Sequence, residues 1–556
     1  MTASWEQTAT AKRNAIYEKI PQEWRLAKIP TAEEQKDVTG TYVHQFLSEK
    51  EIEITETDAV GIVEKTTSGA WTAVEVTKAF CHRAAIAHQL LNCLLEIFFD
   101  AAIADAQAYD DYFAKNKAPI GPLHGLPVSL KDQFHVKGVE TSMGYVGWIG
   151  TFEGKKGTGK EKVFESLMTT ELKDLGAVLY CKTSVPMTLM TGETINNIVG
   201  FCLNPKDRFL SAGGSSGGEG ALVGFKGSPV GFGTDIGGSI RIPAAFNGMY
   251  GLRPSAGRLP YEGMANSWDG QNTILSVVGP IATSARSLKL LAKSILSTKP
   301  WLHDPLVHEL PWRPEQEQID TSKLTFGVIK HDGIVTPTPP VRRAVDMVVK
   351  ALEKSSHEVI DWSPTPNHEA ILKTAFKTWI YDGAAHAHES YALSGEPAVP
   401  QLANFGDEPG PQYNASQIAA VNVTKRQQQK EYMEYWNSTA SKTKSGAPVD
   451  VVISPVAPYP AARRELFKYY GYSVWVNLLD YTSVVVPVTV SSKELDPVDK
   501  DFKAANTSDQ EAHDAYDPDI YDGAAVSIQL VGRRHQEEKT IAIAEYVAKV
   551  LKDAAT

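Results

Sequence analysis

The sequence predicts an α/β protein with a mixed, largely parallel central sheet covered by helices on both faces. Three observations support this fold class. Predicted strands alternate with predicted helices along the chain, which is typical of layered α/β architecture. The apolar run AVLYC at 177–181 has the continuous hydrophobicity of a strand buried on both faces. Hydrophobic residues make up 42% and charged residues 22% of the 556 residues, which is ordinary globular composition.

The first 60 residues differ from the rest of the chain. They predict two or three polar helices around Trp5 and Trp24, with Pro21 as a break between them. We therefore expect residues 1–60 to form a helical extension packed on the main body. Residues 61–556 are expected to form a single domain, because no independent second unit is apparent.

A long amphipathic pattern follows this extension. Thr72 is a suitable N-cap, with Glu75 three residues later as in a capping box. The pattern predicts one helix that ends near Lys117. The short run VSL at 128–130 then predicts a strand that places Lys131 at its end, pointing inward.

The remaining elements follow from apolar runs and their terminators. A helix is predicted at 167–175, with Gly176 as its C-cap residue, and a strand at 177–181. The other predicted helices lie at 219–225, 340–354 and 536–551, and the other strands at 230–234, 324–329, 358–360, 450–454 and 482–490.

Two serine turns rich in glycine lie within residues 211–258. The first reads GGSSGG at 213–218, and the second reads DIGGSIR at 235–241. Glycine on both sides of a serine permits positive φ and lets a substrate approach the main chain. Successive backbone N–H groups are then free to point into one concavity, where anions and developing oxyanions bind. Two such turns so close together indicate a site.

These turns and a third segment, GLPVSLKD at 125–132, resemble the amidase signature family, whose members hydrolyse amides with a Ser–Ser–Lys triad. The match runs from about residue 60 to the end of the chain. MGYVGWIG at 143–150 and ETINN at 193–197 are most similar to the fungal acetamidase or general-amidase group. Further segments that match the family are KTSVP at 182–186, NGMYGLRP at 247–254, SPVAP at 454–458 and DYT at 480–482.

The resemblance implies a role for each triad position. Ser239 is expected to be the nucleophile, and Lys131 the base. Ser215 is expected to bridge the two and to follow a cis peptide bond, while Ser216 is expected to orient Lys131 by a hydrogen bond. The resemblance also implies the same α/β fold, and neither a metal nor an organic cofactor.

The substrate-binding residues follow from the same segments. The N–H groups of Ile236, Gly237, Gly238 and Ser239 are expected to converge on the oxyanion. Leu189 and Met190 belong to a stretch that lines the pocket in the family.

The charged residues of the site have alternative interpretations. A lone lysine is usually on the surface, but the two serine turns favour a buried Lys131. Burial between uncharged hydroxyls is expected to depress its pKa and to make it a base. Asp235 and Arg241 are predicted either to pair across the second turn and hold it rigid, or to be solvated charges.

Composition limits the partners. The net charge of −11 disfavours nucleic acid and anionic membrane surfaces as partners. The first 20 residues have no continuous apolar core, and no window reaches the ~18 apolar residues that a membrane span needs. We expect a cytoplasmic protein with a small-molecule amide substrate, and a homodimer stays open. The four cysteines lack metal-ligand spacing and are expected to be reduced and buried.

Two other functions compete with the amidase. GSSGG at 214–218 satisfies G-x-S-x-G, so Ser216 is the nucleophile of an alternative α/β-hydrolase with a Ser–His–Asp triad. That motif must follow a hydrophobic strand, whereas NPKDRFL precedes this one, and the 14 histidines offer no obvious partner. The second alternative is a non-catalytic binding protein on the amidase fold, which the three filled triad positions disfavour.

Overall fold

The computed structural model describes residues 4–322, 324–364 and 366–555. Its helices are α1 Trp5–Glu18, α2 Thr41–His44, α3 Glu49–Glu56, α4 Ala59–Thr67, α5 Ala73–Leu91, α6 Phe99–Asn116, α7 Leu167–Asp174, α8 Gly217–Gly224, α9 Arg241–Phe246, α10 Ala285–Ser297, α11 Pro339–Lys354, α12 His368–Thr378, α13 Ala385–Ala392, α14 Ala415–Ser438, α15 Gly471–Leu479, α16 Thr507–Asp514, α17 Pro518–Tyr521 and α18 Glu537–Ala555. Its strands are β1 Leu94–Ile97, β2 Pro127–Lys131, β3 Val178–Thr183, β4 Ile195–Asn196, β5 Gly200–Phe201, β6 Val230–Asp235, β7 Tyr250–Arg253, β8 Val277–Ala282, β9 Thr325–Val328, β10 Glu358–Asp361, β11 Val451–Pro455, β12 Thr482–Val490 and β13 Ala525–Gly532.

Eleven of these strands form one sheet in the order β1-β3-β2-β6-β8-β7-β12-β13-β11-β9-β10, and β4 and β5 form a separate hairpin. Parallel pairing is concentrated in two groups, β3-β2-β6 and β11-β9-β10. The strands between these groups, and the edge strand β1, pair antiparallel. The predicted α/β class with a mixed sheet is confirmed.

Helices cover both faces of this sheet. Side chains alternate between the two faces along a strand, and β12 shows where each face packs. Val484 and Val486 join a hydrophobic cluster that includes Ile543 of α18. Val485, which lies between them, joins a different cluster that includes Phe246 of α9. Helices α8 and α9, which follow the two serine turns, are in contact with each other.

The segment before residue 60 packs on the main body. Ile16 and Val38 belong to the same hydrophobic cluster as the core of the sheet. Lys12 Nζ forms an ion pair with the buried Glu96 of β1 and lies 2.6 Å from Glu140 Oε2. Whether this segment is an extension of one domain at 61–556 stays a prediction.

The prediction of one helix from Thr72 to Lys117 is wrong. Thr72 does cap a helix, accepting a hydrogen bond from Glu75 N at 3.0 Å, but that helix ends at Leu91. Asn92 has left-handed φ (55°) and redirects the chain into the fully buried β1. The apolar run CLLEI at 93–97 is compatible with either a helix or a strand, and its pairing with β3 decides the outcome.

Two further features bear on the predictions. All four cysteines are buried and unpaired, as expected. Among the residues that the structure describes, no helix has the length and apolar character needed to cross a bilayer.

Leu530 of β13 provides a test of the sheet core. Its side chain is 0% exposed, whereas Leu495 is 66% exposed. Leu530→Ala removes buried methyl groups and leaves a cavity, so we expect a loss of about 2–5 kcal/mol in unfolding free energy. Leu495→Ala should stay within about 0.5 kcal/mol of the parent protein. Thermal and denaturant unfolding measure both, and equal effects of the two variants would contradict the assigned core.

Candidate active site

The candidate site lies where three parallel strands end. The strands β3, β2 and β6 run side by side in the same direction, so their carboxyl ends share one edge of the sheet. Lys131 is the last residue of β2 and pairs in register with Thr183 of β3. Thr234 and Asp235 end β6. Ligand sites of open α/β sheets form at such carboxyl edges.

Lys131 is fully buried and bonded to two hydroxyls. Its Nζ lies 2.8 Å from Ser215 Oγ and 2.7 Å from Thr234 Oγ1. Burial removes water from the ammonium and lowers the pKa of Lys131 to about 7, against the opposing charges of Asp235 and Glu219. The pKa shift has the direction predicted from the sequence.

The first serine turn packs closely against neighbouring backbone. The Gly214–Ser215 peptide bond is cis, as the family resemblance implied. A Cβ on Gly214 would lie 2.6 Å from Thr191 O, so only glycine fits there. The turn then leads directly into α8, which begins at Gly217.

Ser216 differs from its predicted role. The expected hydrogen bond from Ser216 to Lys131 is not formed among the described residues. Instead Thr234 N donates to Ser216 Oγ at 3.3 Å, and Ser216 N donates to Ser239 O at 3.2 Å. Thr234 makes the second hydrogen bond to Lys131, while Ser216 joins the two serine turns. The partner of Ser216 that the family resemblance implied is therefore replaced by Thr234.

The second turn is held by a buried ion pair. Arg241 Nε and Nη2 donate to the two carboxylate oxygens of Asp235, each at 3.1 Å, and both side chains are fully buried. Asn477 Nδ2 of α15 adds a bond to Asp235 Oδ1 at 2.7 Å. Despite desolvation, these donors hold the pKa of Asp235 well below its usual range. Of the two interpretations that the sequence left open, pairing across the turn is confirmed.

The carboxylate of Asp235 also accepts a hydrogen bond from one of the predicted oxyanion donors, which corrects the predicted oxyanion site. Gly238 N donates to Asp235 Oδ1 at 2.8 Å, so this N–H is not available to a substrate. Gly238 has φ of +125°, which only glycine adopts readily. The N–H groups of Ile236, Gly237 and Ser239 have no acceptor among the described residues. The predicted set of four donors is therefore reduced to three.

Ser239 opens into a cavity. This cavity has a volume of about 120 Å³, and Ser215, Ile236, Leu189 and Met190 also line it. Ser239 is 9% exposed, and its Oγ has no hydrogen-bond partner among the described residues. Four of the predicted site residues and the predicted nucleophile thus lie around one space.

Further side chains, several of them polar, form another part of the wall of this cavity. The segment 257–277 contributes Asn266, Trp268 and Gln271, and α13 contributes His386. Asp382 Oδ2 lies 2.7 Å from His386 Nδ1, and the imidazole stacks on Trp268 with ring centroids 5.1 Å apart. Sequence analysis missed this wall, because no motif marks the segment.

Two further residues near Lys131 were also missed. Glu219 of α8 is fully buried, and it accepts hydrogen bonds from Ser129 Oγ at 2.5 Å and Thr183 Oγ1 at 2.9 Å. Desolvation raises its pKa to about 8. Gln133 Oε1 accepts from Thr234 Oγ1 at 2.8 Å. Glu219 lies three residues after Ser216, and Gln133 lies two residues after Lys131. This closeness to a predicted motif residue was the signal that the sequence offered for each.

The geometry disfavours Ser216 as a nucleophile. Its side chain is 0% exposed, and its Oγ also lies 3.4 Å from Thr234 O. The described segment 204–213 before it forms only isolated bridges, not the strand that a nucleophile elbow requires.

Comparison with known proteins gives a consistent result. The family model described as Amidase matches residues 75–541. An acetamidase of Emericella nidulans is 46% identical over 561 aligned residues, covering 100% of both chains. An acetamidase of Aspergillus oryzae is 44% identical and covers 99% of both.

Solved structures share the fold. A fatty acid amide hydrolase superposes with a TM-score of 0.90 at 31% identity, covering 98% of this chain and 94% of its own. A 6-aminohexanoate cyclic dimer hydrolase has a TM-score of 0.70 at 20% identity, covering 90% of this chain and 98% of its own. The second likeness shows the fold alone.

The lowered pKa of Lys131 predicts how activity depends on pH. If neutral Lys131 is the base, kcat/KM rises with pH, with a midpoint near 7, and levels off above it. Lys131→Ala should remove both the rate and this ionisation. Lys131→Arg should not restore activity, because a guanidinium keeps its proton. An unchanged acid limb in residual Lys131→Ala activity would contradict the assignment.

The same pKa affects stability. An unfolded lysine titrates near ~10.4, so the unfolded chain holds this proton more tightly than the folded protein does. Lys131 should therefore lower the unfolding free energy below pH ~10, increasingly until the pH reaches about 7. Relative to Lys131→Met, the unfolding free energy of wild type should decrease as the pH is lowered through this window. Urea titrations of both proteins at several pH values would measure the difference. A constant difference would contradict the shift.

Proposed function

The chain belongs to the amidase family and is an amidase, and we propose that it hydrolyses small to medium carboxamides through an acyl-enzyme on Ser239. One observation carries this proposal most directly. Lys131 Nζ, with a pKa lowered to about 7, lies 2.8 Å from Ser215 Oγ in a fully buried setting, and Ser215 and Ser239 line the same cavity. The full-length similarity to acetamidases argues against a non-catalytic binding protein.

In the proposed first step, Ser239 Oγ attacks the carbonyl carbon of the amide. Its proton passes to Ser215, and Ser215 gives its own proton to neutral Lys131. The carbonyl π electrons move to oxygen, where the free N–H groups of Ile236, Gly237 and Ser239 stabilise the oxyanion. Loss of one such donor typically reduces the rate by ~10²–10³.

The tetrahedral intermediate then collapses. The carbon–nitrogen bond breaks, and the proton held by Lys131 returns through Ser215 to the departing nitrogen. Ammonia or an amine leaves, and the acyl group stays on Ser239. A water molecule attacks this ester by the same relay, which releases the carboxylic acid and restores neutral Lys131.

The Asp235–Arg241 pair supports this chemistry by fixing the turn. Asp235 holds Gly238 N and lies 3.2 Å from Ile240 N, on either side of Ser239. Ser473 Oγ donates to Gly237 O at 2.6 Å and fixes the peptide that precedes Gly238. The oxyanion donors are therefore oriented before substrate binds, which is the condition for efficient electrostatic stabilisation.

The cavity presents hydrogen-bonding groups to a substrate, from Asn266, Gln271 and His386. The full-length similarity to acetamidases favours short aliphatic carboxamides, of the kind that give those relatives their name, as substrates. A cytoplasmic location is part of the proposal on sequence grounds alone, and a homodimer stays open.

The identity of the nucleophile is tested by a pair of serine variants. Ser239→Ala should abolish turnover without loss of folding, because it removes only one hydroxyl from a cavity wall. Ser216→Ala should retain the nucleophile and a measurable rate. A fluorophosphonate should label wild type on the peptide that carries Ser239, as read by mass spectrometry. Activity in Ser239→Ala together with none in Ser216→Ala would instead support the α/β-hydrolase mechanism.

Substrate size is tested with a series of amides from acetamide to hexanamide. We expect kcat/KM to fall along the series, because the relatives that match over their full length are acetamidases. Met190→Ala should selectively improve the longest amide, since one methylene in a pocket is worth ~1–3 kcal/mol. Met433→Ala, at a residue that is 45% exposed, is the matched control. A rate that increases with chain length in wild type would contradict the proposed substrate class.

A further inference from the structure

A chain of hydrogen bonds extends from Lys131 through Thr234 and Gln133 to Tyr261, and these last three residues line the same cavity as Ser215 and Ser239. We propose that Gln133 is a positioning residue, which orients the hydroxyl of Thr234 so that neutral Lys131 keeps its lone pair for Ser215. The inference rests on the proposed Lys131–Ser215–Ser239 relay.

Gln133 is rigidly placed for this role. It follows β2 in a tight turn, in which Gln133 N donates to Lys131 O at 2.6 Å, and its side chain is 1% exposed. Its Oε1 accepts from Thr234 Oγ1 at 2.8 Å, and its Nε2 donates to Tyr261 OH at 2.9 Å. Both ends of the amide are therefore engaged, and the carbonyl end faces Thr234.

The hydrogen bond to Gln133 determines which atom donates between Thr234 and Lys131. A threonine hydroxyl carries one hydrogen, and an amide carbonyl oxygen is only an acceptor. When Thr234 donates its hydrogen to Gln133, its oxygen is left only as an acceptor for Lys131 at 2.7 Å. A neutral amine has two N–H bonds and one lone pair. With one N–H directed to Thr234, rotation about the terminal bond is restricted and the lone pair is available to Ser215 at 2.8 Å.

Without an acceptor at position 133, the direction of the hydrogen bond between Lys131 and Thr234 is no longer determined. The hydroxyl of Thr234 would turn and donate to the nitrogen of Lys131, because a buried donor without a partner is unfavourable. That bond would occupy the lone pair on which the relay depends. The titratable groups that act on Lys131, which are Asp235 at the end of β6 and Glu219 on α8, would stay the same.

Two substitutions of Gln133 separate this role from packing. Gln133→Met has similar length but no acceptor, so kcat should fall on the order of 10- to 100-fold, the scale of misplacing a reacting group. Its acid limb should also move to lower pH, because a hydrogen bond to the neutral amine favours the neutral form. Gln133→Glu keeps an acceptor and adds negative charge near Lys131. Its acid limb should move to higher pH, with a plateau kcat within a few-fold of wild type.

A double-mutant cycle tests the route through Thr234. Thr234→Val removes the hydroxyl, so adding Gln133→Met to Thr234→Val should have little further effect on kcat. Gln428→Met, at a buried glutamine on α14, is the control for loss of a buried amide. It should lower the melting temperature at most and leave the pH profile unchanged.

Three outcomes would overturn the inference: a rise in KM with kcat unchanged in Gln133→Met, additive effects in the double variant, or acid limbs that do not move in opposite directions. A rise in KM alone would make Gln133 a substrate contact. Failure of the relay itself is distinguishable, because it would appear as activity in Ser239→Ala or Lys131→Ala. Loss of activity in those two variants together with additive effects in the cycle would remove only the role of Gln133.

Discussion

A lysine that loses its proton near pH 7 is the constraint on which the structure of this site depends. Removal of water lowers the pKa of Lys131, but a nearby carboxylate with an unopposed charge would reverse the effect. Asp235 and Glu219 are the two acids whose charges act on it. The surrounding side chains either pair with these acids or keep them uncharged.

Each neighbouring carboxyl group is neutralised in a different way. Asp235 forms a bidentate pair with Arg241, both fully buried. Glu219 has a pKa raised to about 8, so it is largely uncharged at neutral pH, and two hydroxyls bond it. Asp132, next to Lys131 in sequence, lies 2.6 Å from Lys182 Nζ. Because each group has its own partner, Lys131 is left with only hydroxyls, which permit its neutral form.

The sequence was sufficient for the parts of this site that depend on local backbone. The run VSL placed Lys131 at a strand end, and the glycine turns placed Ser215 and Ser239. It was insufficient where partners are distant in sequence. Thr234 reaches Gln133 across 101 positions, and no periodicity reports such a contact. Likewise, β1 looked like a continuation of a helix, since its strand character comes from pairing with β3.

The two edges of the sheet have a consequence for self-association. An edge strand exposes unpaired N–H and C=O groups, and long apolar edges invite aggregation. Here both edge strands, β1 and β10, have only four residues each. Glu96 in β1 is covered by Lys12 of α1, and β10 begins and ends with the acidic residues Glu358 and Asp361. Loss of α1 would uncover one edge and leave the buried charge of Glu96 without its main partner. The first helix is therefore expected to protect newly made chains from joining edge to edge.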